Sequence, residues 1–240
     1  MLMKQVYLIK ILLIMASQLG AFAIAHAGSI VIDGRDLSLG GTSANGVVVG
    51  SGRLAREVRD IKGFDVLIAA SSVDVEVNLG HSLRLTVSGD DNLLPFVSVN
   101  NVNRALTVEL KGGSYITAQT LHVTIESPSL KDVRLEGSGD IRLFNVSEKL
   151  LSLIIEGSGD IQAEGRVTTL QAEIRGSGEL NLGDLKTQNS NVVISGAGDA
   201  EISVSRKLSV TIDGSGDVVY SGSPEKVELE ISGAGEVTAD

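Results

Sequence analysis

The chain has 240 residues, enough for one or two ordinary domains, and its 20 Lys and Arg against 30 Asp and Glu give a formal net charge of −10. It contains no cysteine, which excludes disulfides, thiolate zinc sites and thiol nucleophiles. Only 3% of its residues are aromatic. An acidic chain so poor in aromatics repels phosphates and offers little for bases to stack on, so nucleic acid is excluded as a partner.

Residues 1–27 have the pattern of a secretory signal peptide. Lys4 and Lys10 form a positive N-terminal region, residues 11–25 form an apolar core, and a small-x-small cleavage motif follows. Cleavage before Gly28 predicts an exported protein, in the periplasm, on the outer surface or secreted, with no membrane span in the mature chain. A single membrane anchor is the alternative, although polar residues interrupt the short apolar run.

The next part of the chain predicts irregular β structure. Residues 28–49 are rich in glycine and small residues, which indicates a linker or a loose edge strand. Several segments then alternate apolar and polar residues as strands do: 64–70, 72–80, 82–89, 105–112 and 121–127. We expect these strands to form the first, irregular coils of a stack and to cap its N-terminal end.

A glycine–small–glycine–acid tetrad recurs six times in the second half of the chain. Its first glycines are Gly137, Gly157, Gly176, Gly196, Gly214 and Gly233. The steps between them are 20, 19, 20, 18 and 19 residues. A fixed period near twenty predicts stacked units, none of which can bury its apolar face alone.

Apolar residues keep a two-residue alternation through every tetrad. Two positions before the first glycine stand Leu135, Ile155, Ile174, Ile194, Ile212 and Ile231. Because strand side chains alternate between faces, these residues share the inner face with both glycines, and the acids fall on the outer face.

A coil of 18 to 20 residues accommodates three short strands joined by tight corners. We therefore predict an all-β fold, a right-handed parallel β-helix with coils of about 19 residues, because parallel crossovers favour that hand. A β-sandwich of hairpins is the alternative, since G-S-G-D can also form a hairpin loop.

The acids of the six tetrads would then form a file on the outer face, which we call the acidic column. Its members are Asp140, Asp160, Glu179, Asp199, Asp217 and Glu236. Two unit charges one strand spacing apart repel by roughly 0.9 kcal/mol in bulk water. Capping of backbone N–H groups, raised carboxyl pKa values or bridging cations would each relieve that repulsion. The column is the candidate binding site of the sequence.

The sequence carries no recognisable catalytic, metal or nucleotide motif. After residue 27 only His81 and His122 remain, and neither has a second ligand at metal-binding spacing. The glycine pairs lack the later glycine and the helix of a dinucleotide fingerprint, and no G-x-S-x-G elbow or phosphate-binding loop is present. We therefore expect no enzyme activity, no metal and no cofactor.

The order of motifs resembles a bacterial family. Residues 50–67 read GSGRLAREVRDIKGFDVL, and SVDVEVNLG (72–80), TVSGDDNLLP (86–95) and the repeated tetrads follow. This order is similar to that of the putative autotransporter adhesin head, GIN domain family. The resemblance covers about residues 50–240 and implies a single exported β-helical domain of unknown biochemical function, with no catalytic residues to carry over.

Three functional hypotheses remain at the level of the sequence. The first is a noncatalytic binding or adhesion module whose partner is a glycan or an envelope protein. The second is a structural envelope or periplasmic protein that self-associates weakly through exposed strand edges. The third is a carbohydrate-active enzyme that uses paired acids of the column, which coils without long insertions and with few aromatics disfavour. We expect the first.

Overall fold

The structure, a computed structural model, describes residues 23–26, 29–32, 35–38, 48–112, 115–116 and 121–240. Apart from one 3-10 turn, Leu94–Phe96, the regular elements of these residues are strands. In chain order they are β1 (Ala23–His26), β2 (Ser29–Ile32), β3 (Arg35–Ser38), β4 (Val48–Val49), β5 (Leu54–Arg59), β6 (Val66–Ser71), β7 (Asp74–Leu79), β8 (Arg84–Asp90), β9 (Val97–Val102) and β10 (Ala105–Leu110). They continue with β11 (Tyr115–Ile116), β12 (His122–Ser127), β13 (Asp132–Gly137), β14 (Ile141–Gly157), β15 (Ile161–Gly176), β16 (Glu179–Gly196), β17 (Asp199–Gly214), β18 (Val218–Ser221), β19 (Lys226–Gly233) and β20 (Val237–Ala239). Among the described residues, no helix is long and apolar enough to cross a membrane.

The chain divides into two compact units. The first comprises Met1–Ala55, Gly89–Pro95 and Gly112–Thr120, and the second comprises Arg56–Ser88, Phe96–Lys111 and Leu121–Asp240. In the first unit β1, β2 and β3 form an antiparallel sheet, and β4 pairs in parallel with β11. The predicted signal peptide lies outside the described residues except for β1, and the predicted linker is described only in β2, β3 and β4. Both stay predictions.

The second unit is a β-solenoid of about five turns whose coils lie about 20 residues apart. Every pairing among β13 to β20 is parallel. Ile155 of β14 lies opposite Ile174 of β15, which lies opposite Ile194 of β16. The predicted parallel β-helix is therefore confirmed, and the hairpin sandwich is wrong because hairpins require antiparallel neighbours.

The coils differ in one respect from the prediction of three short strands joined by tight corners. Strands β14 to β17 run for 16 to 18 residues each and are interrupted only at the tetrads. Elsewhere the pairing continues through register shifts, such as those between Leu143 and Val146 and between Gln162 and Gly165. Bulges let a strand bend without giving up its ladder, which explains why those corners do not end a strand.

The first coils are irregular, as predicted, and they are stacked out of chain order. Strands β6 and β7 pair in parallel with β13 and β14 and so form the coil that precedes the tetrads. Strands β10 and β12 come later in the chain but pair in parallel on the far side of β6 and β7. Strands β9 and β8 then pair antiparallel to β10 and β12. The stack therefore changes from parallel to antiparallel pairing on its N-terminal side.

The inner column of aliphatic residues forms the core of the solenoid. Leu135, Ile155, Ile174 and Ile194 are all 0% exposed, which confirms the predicted two-residue alternation. Ile231, the equivalent residue of the last coil, is 43% exposed. Each coil is therefore buried by the next one, as expected when a unit cannot bury its apolar face alone.

The two glycines of a tetrad share one reason for being glycine, and each has a second reason of its own. Gly157 has a φ of +147°, and a Cβ there would collide with the carbonyl oxygen of Gly137 in the preceding coil. That backbone region is open essentially to glycine alone. A Cβ on Gly159 would collide with the carbonyl oxygen of Gly139 in the preceding coil, and it would also lie 2.9 Å from Cδ2 of Leu135, a member of the inner column. Both glycines thus allow the backbones to approach closely; the first also permits the corner conformation, and the second also makes room for the core.

We expect the Ile194→Asp substitution to lower the free energy of unfolding by more than about 3 kcal/mol, because it buries an unpaired carboxylate. The matched control is Val193→Asp, one position along and half-exposed, which should cost only about 1 kcal/mol through lower strand propensity. Urea unfolding followed by circular dichroism measures both. Equal losses would contradict the inward register of residue 194.

We expect the Gly157→Ala substitution to lower the free energy of unfolding by at least about 2 kcal/mol, because alanine is strained at this φ and its methyl group meets a backbone carbonyl. Gly80→Ala is the control, since a Cβ there has no atom within 4 Å. It should leave stability unchanged or raise it by up to about 1 kcal/mol. If the two variants melt at the same temperature, the close approach of the corners is not what requires glycine.

Candidate functional site

The structure places the six acids of the acidic column in register at the tetrad corners. Asp140 and Asp160 are half-buried, and the other four members are exposed. Glu179 lies directly opposite Asp199 in the ladder between β16 and β17. The sequence therefore predicted the alignment of these carboxylates.

All four aspartates of the acidic column cap the backbone of the next coil. Oδ1 of Asp140 accepts a hydrogen bond from the N–H of Asp160 at 3.3 Å, and Oδ1 of Asp160 accepts one from the N–H of Glu179 at 2.9 Å. Oδ1 of Asp199 accepts the N–H of Asp217, and Oδ1 of Asp217 accepts the N–H of Glu236, both at 2.8 Å. Of the three ways to relieve repulsion in the column, the structure shows backbone capping.

The caps repair the ladder where the tetrad interrupts it. The carbonyl of Asp160 still accepts the N–H of Ile141 at 2.9 Å, but the N–H of Asp160 finds a carboxylate in place of a backbone carbonyl. A buried or half-buried N–H without an acceptor is costly, so the short aspartate side chain substitutes for the missing partner. At Glu179 the neighbouring strands pair directly through the backbone, and the carboxylate of Glu179 has no such role.

One corner of the column was missed by sequence reasoning. Ser71 lies opposite Gly137, and Oδ1 of Asp74 accepts the N–H of Asp140 at 3.1 Å. The segment Ser71-Ser72-Val73-Asp74 is therefore a tetrad without glycines. Ser71 adopts a φ of +80°, an uncommon conformation for a residue other than glycine. The sequence does carry a signal for this corner, because SSVD directly follows the strand VLIAA as each tetrad follows its strand. The signal is hidden because 66 residues, far more than one repeat, separate Asp74 from Asp140.

The acidic column has few unused groups for chemistry. Each capping aspartate keeps its second carboxylate oxygen, and the serine or alanine two positions before it is exposed. Within the described ranges, no three His, Cys, Asp or Glu side chains converge as a metal site requires. A binding role for the acidic column stays a prediction.

A second candidate site lies at a different corner of the coils, and we call it the basic cleft. It is a cavity of about 760 Å³. Its lining residues are Lys131, Ser147, Glu148, Lys149, Leu150, Arg166, Val167, Thr168, Lys186, Thr187, Gln188 and Ser205. Four cations thus face one carboxylate in a chain whose formal net charge is −10. The local charge is opposite to that of the whole chain.

The cations of the basic cleft differ in their partners. Lys131 Nζ lies 3.7 Å from Oδ1 of Asp65, whose pKa is held below its usual range mainly by a hydrogen bond from Arg104. Lys186 Nζ donates to the carbonyl oxygen of Gly183 at 3.0 Å, which leaves its charge uncompensated. Lys149 and Arg166 are exposed and form no ion pair with any residue that the structure describes.

Hydroxyl groups of the basic cleft, buried at Thr187 and exposed at Ser205, form hydrogen bonds with the backbone around it. Thr187 Oγ1 lies 2.6 Å from the carbonyl oxygen of Ser203, to which it donates, and 2.6 Å from Oγ of Ser190. Ser205 Oγ donates to the carbonyl oxygen of Thr187 at 3.0 Å. The one carboxylate of the lining is also held by the backbone, because Oε1 of Glu148 accepts a hydrogen bond from the N–H of Leu130 at 3.3 Å. These groups position the lining, and the exposed cations project from a fixed backbone.

Sequence reasoning missed the basic cleft although the chain carries a signal for it. Lys131, Lys149, Arg166 and Lys186 follow one another at steps of 18, 17 and 20 residues, close to the period of the tetrads. The steps vary because the cations do not occupy equivalent positions in the ladder: Arg166 lies opposite Lys186, but the neighbours of Lys149 in its strand lie opposite Val167 and Thr169. An alignment on the tetrads alone therefore does not bring the cations into one column.

We expect Asp160→Ala to lower the free energy of unfolding by about 1 kcal/mol, because the N–H of Glu179 loses its acceptor. Asp160→Asn keeps an oxygen at the same place and removes one charge from the acidic column, so stability should be unchanged or higher. Glu179→Gln is the control, since that carboxylate caps nothing. Thermal unfolding of the three variants measures the difference. If the Asn and Ala variants lose the same stability, charge and not capping is what matters at this corner.

Several bacterial proteins have solved structures similar to this one. A putative adhesin from Bacteroides fragilis superposes with a TM-score of 0.65 at 19% sequence identity, over 80% of this chain and 100% of that chain. A putative adhesin from Parabacteroides merdae superposes with a TM-score of 0.51 at 21% identity, over 81% of this chain and 99% of that chain. A putative lipid binding protein from Parabacteroides distasonis superposes with a TM-score of 0.47 at 21% identity, over 81% and 99%. At these identities the similarity to the two putative adhesins shows the fold alone.

No curated protein matches the chain. The sequence profile of one protein family does match, over residues 63–224, which make up more than half of the chain. This stretch contains the Ser71-Ser72-Val73-Asp74 corner, five of the six tetrads and the whole lining of the basic cleft. The chain belongs to the family described as "Putative auto-transporter adhesin, head GIN domain".

Proposed function

We propose that this protein is an exported, noncatalytic binding module of the adhesin type, whose partner is a glycan or an envelope protein. The observation that carries the proposal is the basic cleft, whose volume of about 760 Å³ lies within the range of ordinary ligand sites. Membership of an adhesin head family supports an exported or surface protein. The signal-peptide pattern of residues 1–27 supports the same location.

The solenoid suits this role because its lining residues stand on paired strands. Lys149, Arg166 and Lys186 belong to β14, β15 and β16, which are hydrogen-bonded to one another along most of their length. The backbone beneath these side chains is already ordered, so binding costs the rotamer entropy of the side chains and little backbone entropy. A rigid surface with fixed polar groups recognises a partner without catalytic residues.

The test is binding to bacterial envelope preparations, before and after treatment with periodate or protease. The folded protein should be retained by untreated envelopes and should lose binding after one of the two treatments. Periodate sensitivity identifies a glycan partner, and protease sensitivity identifies a protein. Heat-denatured protein is the control for nonspecific adsorption. Retention that neither treatment changes, or no retention at all, would contradict the proposal.

A structural, self-associating role is the second candidate, and one observation favours it. In the last coil Val227, Leu229 and Ile231 are 39%, 49% and 43% exposed, whereas their partners in β17 are almost fully buried. Stacking a second copy on this face would bury them. Sedimentation at several protein concentrations separates the two functions, because a strict monomer that still binds envelopes supports only the first.

A further inference from the structure

We propose that the basic cleft binds an acidic polysaccharide through the carboxylate or sulfate groups on its sugars. This inference rests on the proposed binding function and names the ligand class of the same site. It is carried by three features of the cleft: its charge, the mixture of polar and apolar groups in its lining, and its course across successive coils.

The charge of the cleft selects an anionic ligand. Lys149 and Arg166 are exposed and unpaired among the described residues, and Lys186 is bonded only to uncharged oxygens. The single carboxylate of the lining, Glu148, accepts a backbone N–H. Cations concentrated in a cleft of an acidic protein attract anions locally while the rest of the surface repels them. A guanidinium and ammonium groups are the donors that carboxylates and sulfates prefer.

The other lining groups suit sugars better than a bare anion. Ser147, Thr168 and Gln188 are exposed, so their hydroxyl and amide groups are available to sugar hydroxyls. Leu150 is 44% exposed in the same cleft and offers an apolar contact for the C–H face of a sugar ring. A site for inorganic phosphate or sulfate alone would have no use for these groups.

The course of the cleft favours a polymer. Its lining comes from five successive levels of the stack, from Lys131 to Ser205, which at the usual strand spacing span about 19 Å. Lys149, Arg166 and Lys186 stand on adjacent strands, so positive charge recurs along this length. A chain with one negative charge per sugar presents matching charges. The lining contains no aromatic side chain for bases to stack on, which disfavours single-stranded nucleic acid.

The test is titration calorimetry of the protein with polygalacturonate and with heparin, and with neutral dextran and an oligodeoxynucleotide for comparison. We expect the two acidic polysaccharides to bind and their affinity to fall as salt increases. The Lys149→Gln/Arg166→Gln variant should bind them about tenfold more weakly, since it removes two exposed charge contacts. The Lys62→Gln/Arg142→Gln variant is the matched control, because it removes one lysine and one arginine that are exposed outside the cleft.

Each outcome decides between the inference and the proposed function. Equal affinity of the cleft variant and the wild type would overturn the site, as would an equal loss in the control variant. Binding of dextran with no preference for the acidic polymers would overturn the ligand class and leave the binding function standing. An oligodeoxynucleotide that binds as tightly as polygalacturonate would also overturn the ligand class. If the protein binds no glycan and no envelope preparation, both the ligand class and the proposed binding function are wrong.

Two measurements show that a loss of affinity in the cleft variant is not caused by misfolding. Its melting temperature should be unchanged, and the Lys149→Arg/Arg166→Lys variant should recover binding.

Discussion

The whole solenoid depends on how closely its tetrad corners approach each other. The carbonyl oxygen of Gly137 occupies the place where a side chain on Gly157 would begin, and the same relation links Gly157 to Gly176 and Gly176 to Gly196. Because this contact is between backbones, it fixes the register of each coil on the one before it. The inner aliphatic column and the acidic column are both consequences of that register, since every coil presents the same residue types at the same height.

Stacking identical corners brings the carboxylates of the acidic column close together, and their repulsion is a cost. Hydrogen bonds from backbone N–H groups to the aspartates offset that cost. In a structure with one carboxylate per coil, like charges necessarily face each other at strand spacing. Asp160 and Asp217 use one oxygen to cap an N–H that the interrupted ladder leaves without a carbonyl. Charge-assisted bonds of this kind are stronger than neutral ones. The side chain must be short, and Glu179 illustrates this, because it caps nothing and its coil pairs through the backbone.

The sequence predicted those parts of the fold that repeat locally. The period of the tetrads and the column from Leu135 to Ile212 were enough to predict parallel stacking, because each coil makes the same contacts as its neighbour. The stacking of β10 and β12 beyond β6 and β7 could not be predicted in this way, since those pairings join segments that are out of chain order. The Ser71 corner was missed because a residue other than glycine fills it, and the basic cleft was missed because its cations do not keep a constant distance from the tetrads.

The coils also differ in length, and the place where this difference is accommodated bears on function. Coils of 18 to 20 residues can stack in register at the tetrads only if their extra residues are accommodated elsewhere. The register shifts between β14, β15, β16 and β17 all lie after the tetrads and before or within the cleft corner. Residues at the tetrad corner are held by backbone contact, so a substitution such as alanine for Gly157 meets the preceding coil. Side chains at the cleft corner, such as Lys149 and Arg166, project into open space and carry no such constraint. The repeat therefore separates the corner that holds the stack together from the corner where binding groups can vary without loss of the fold.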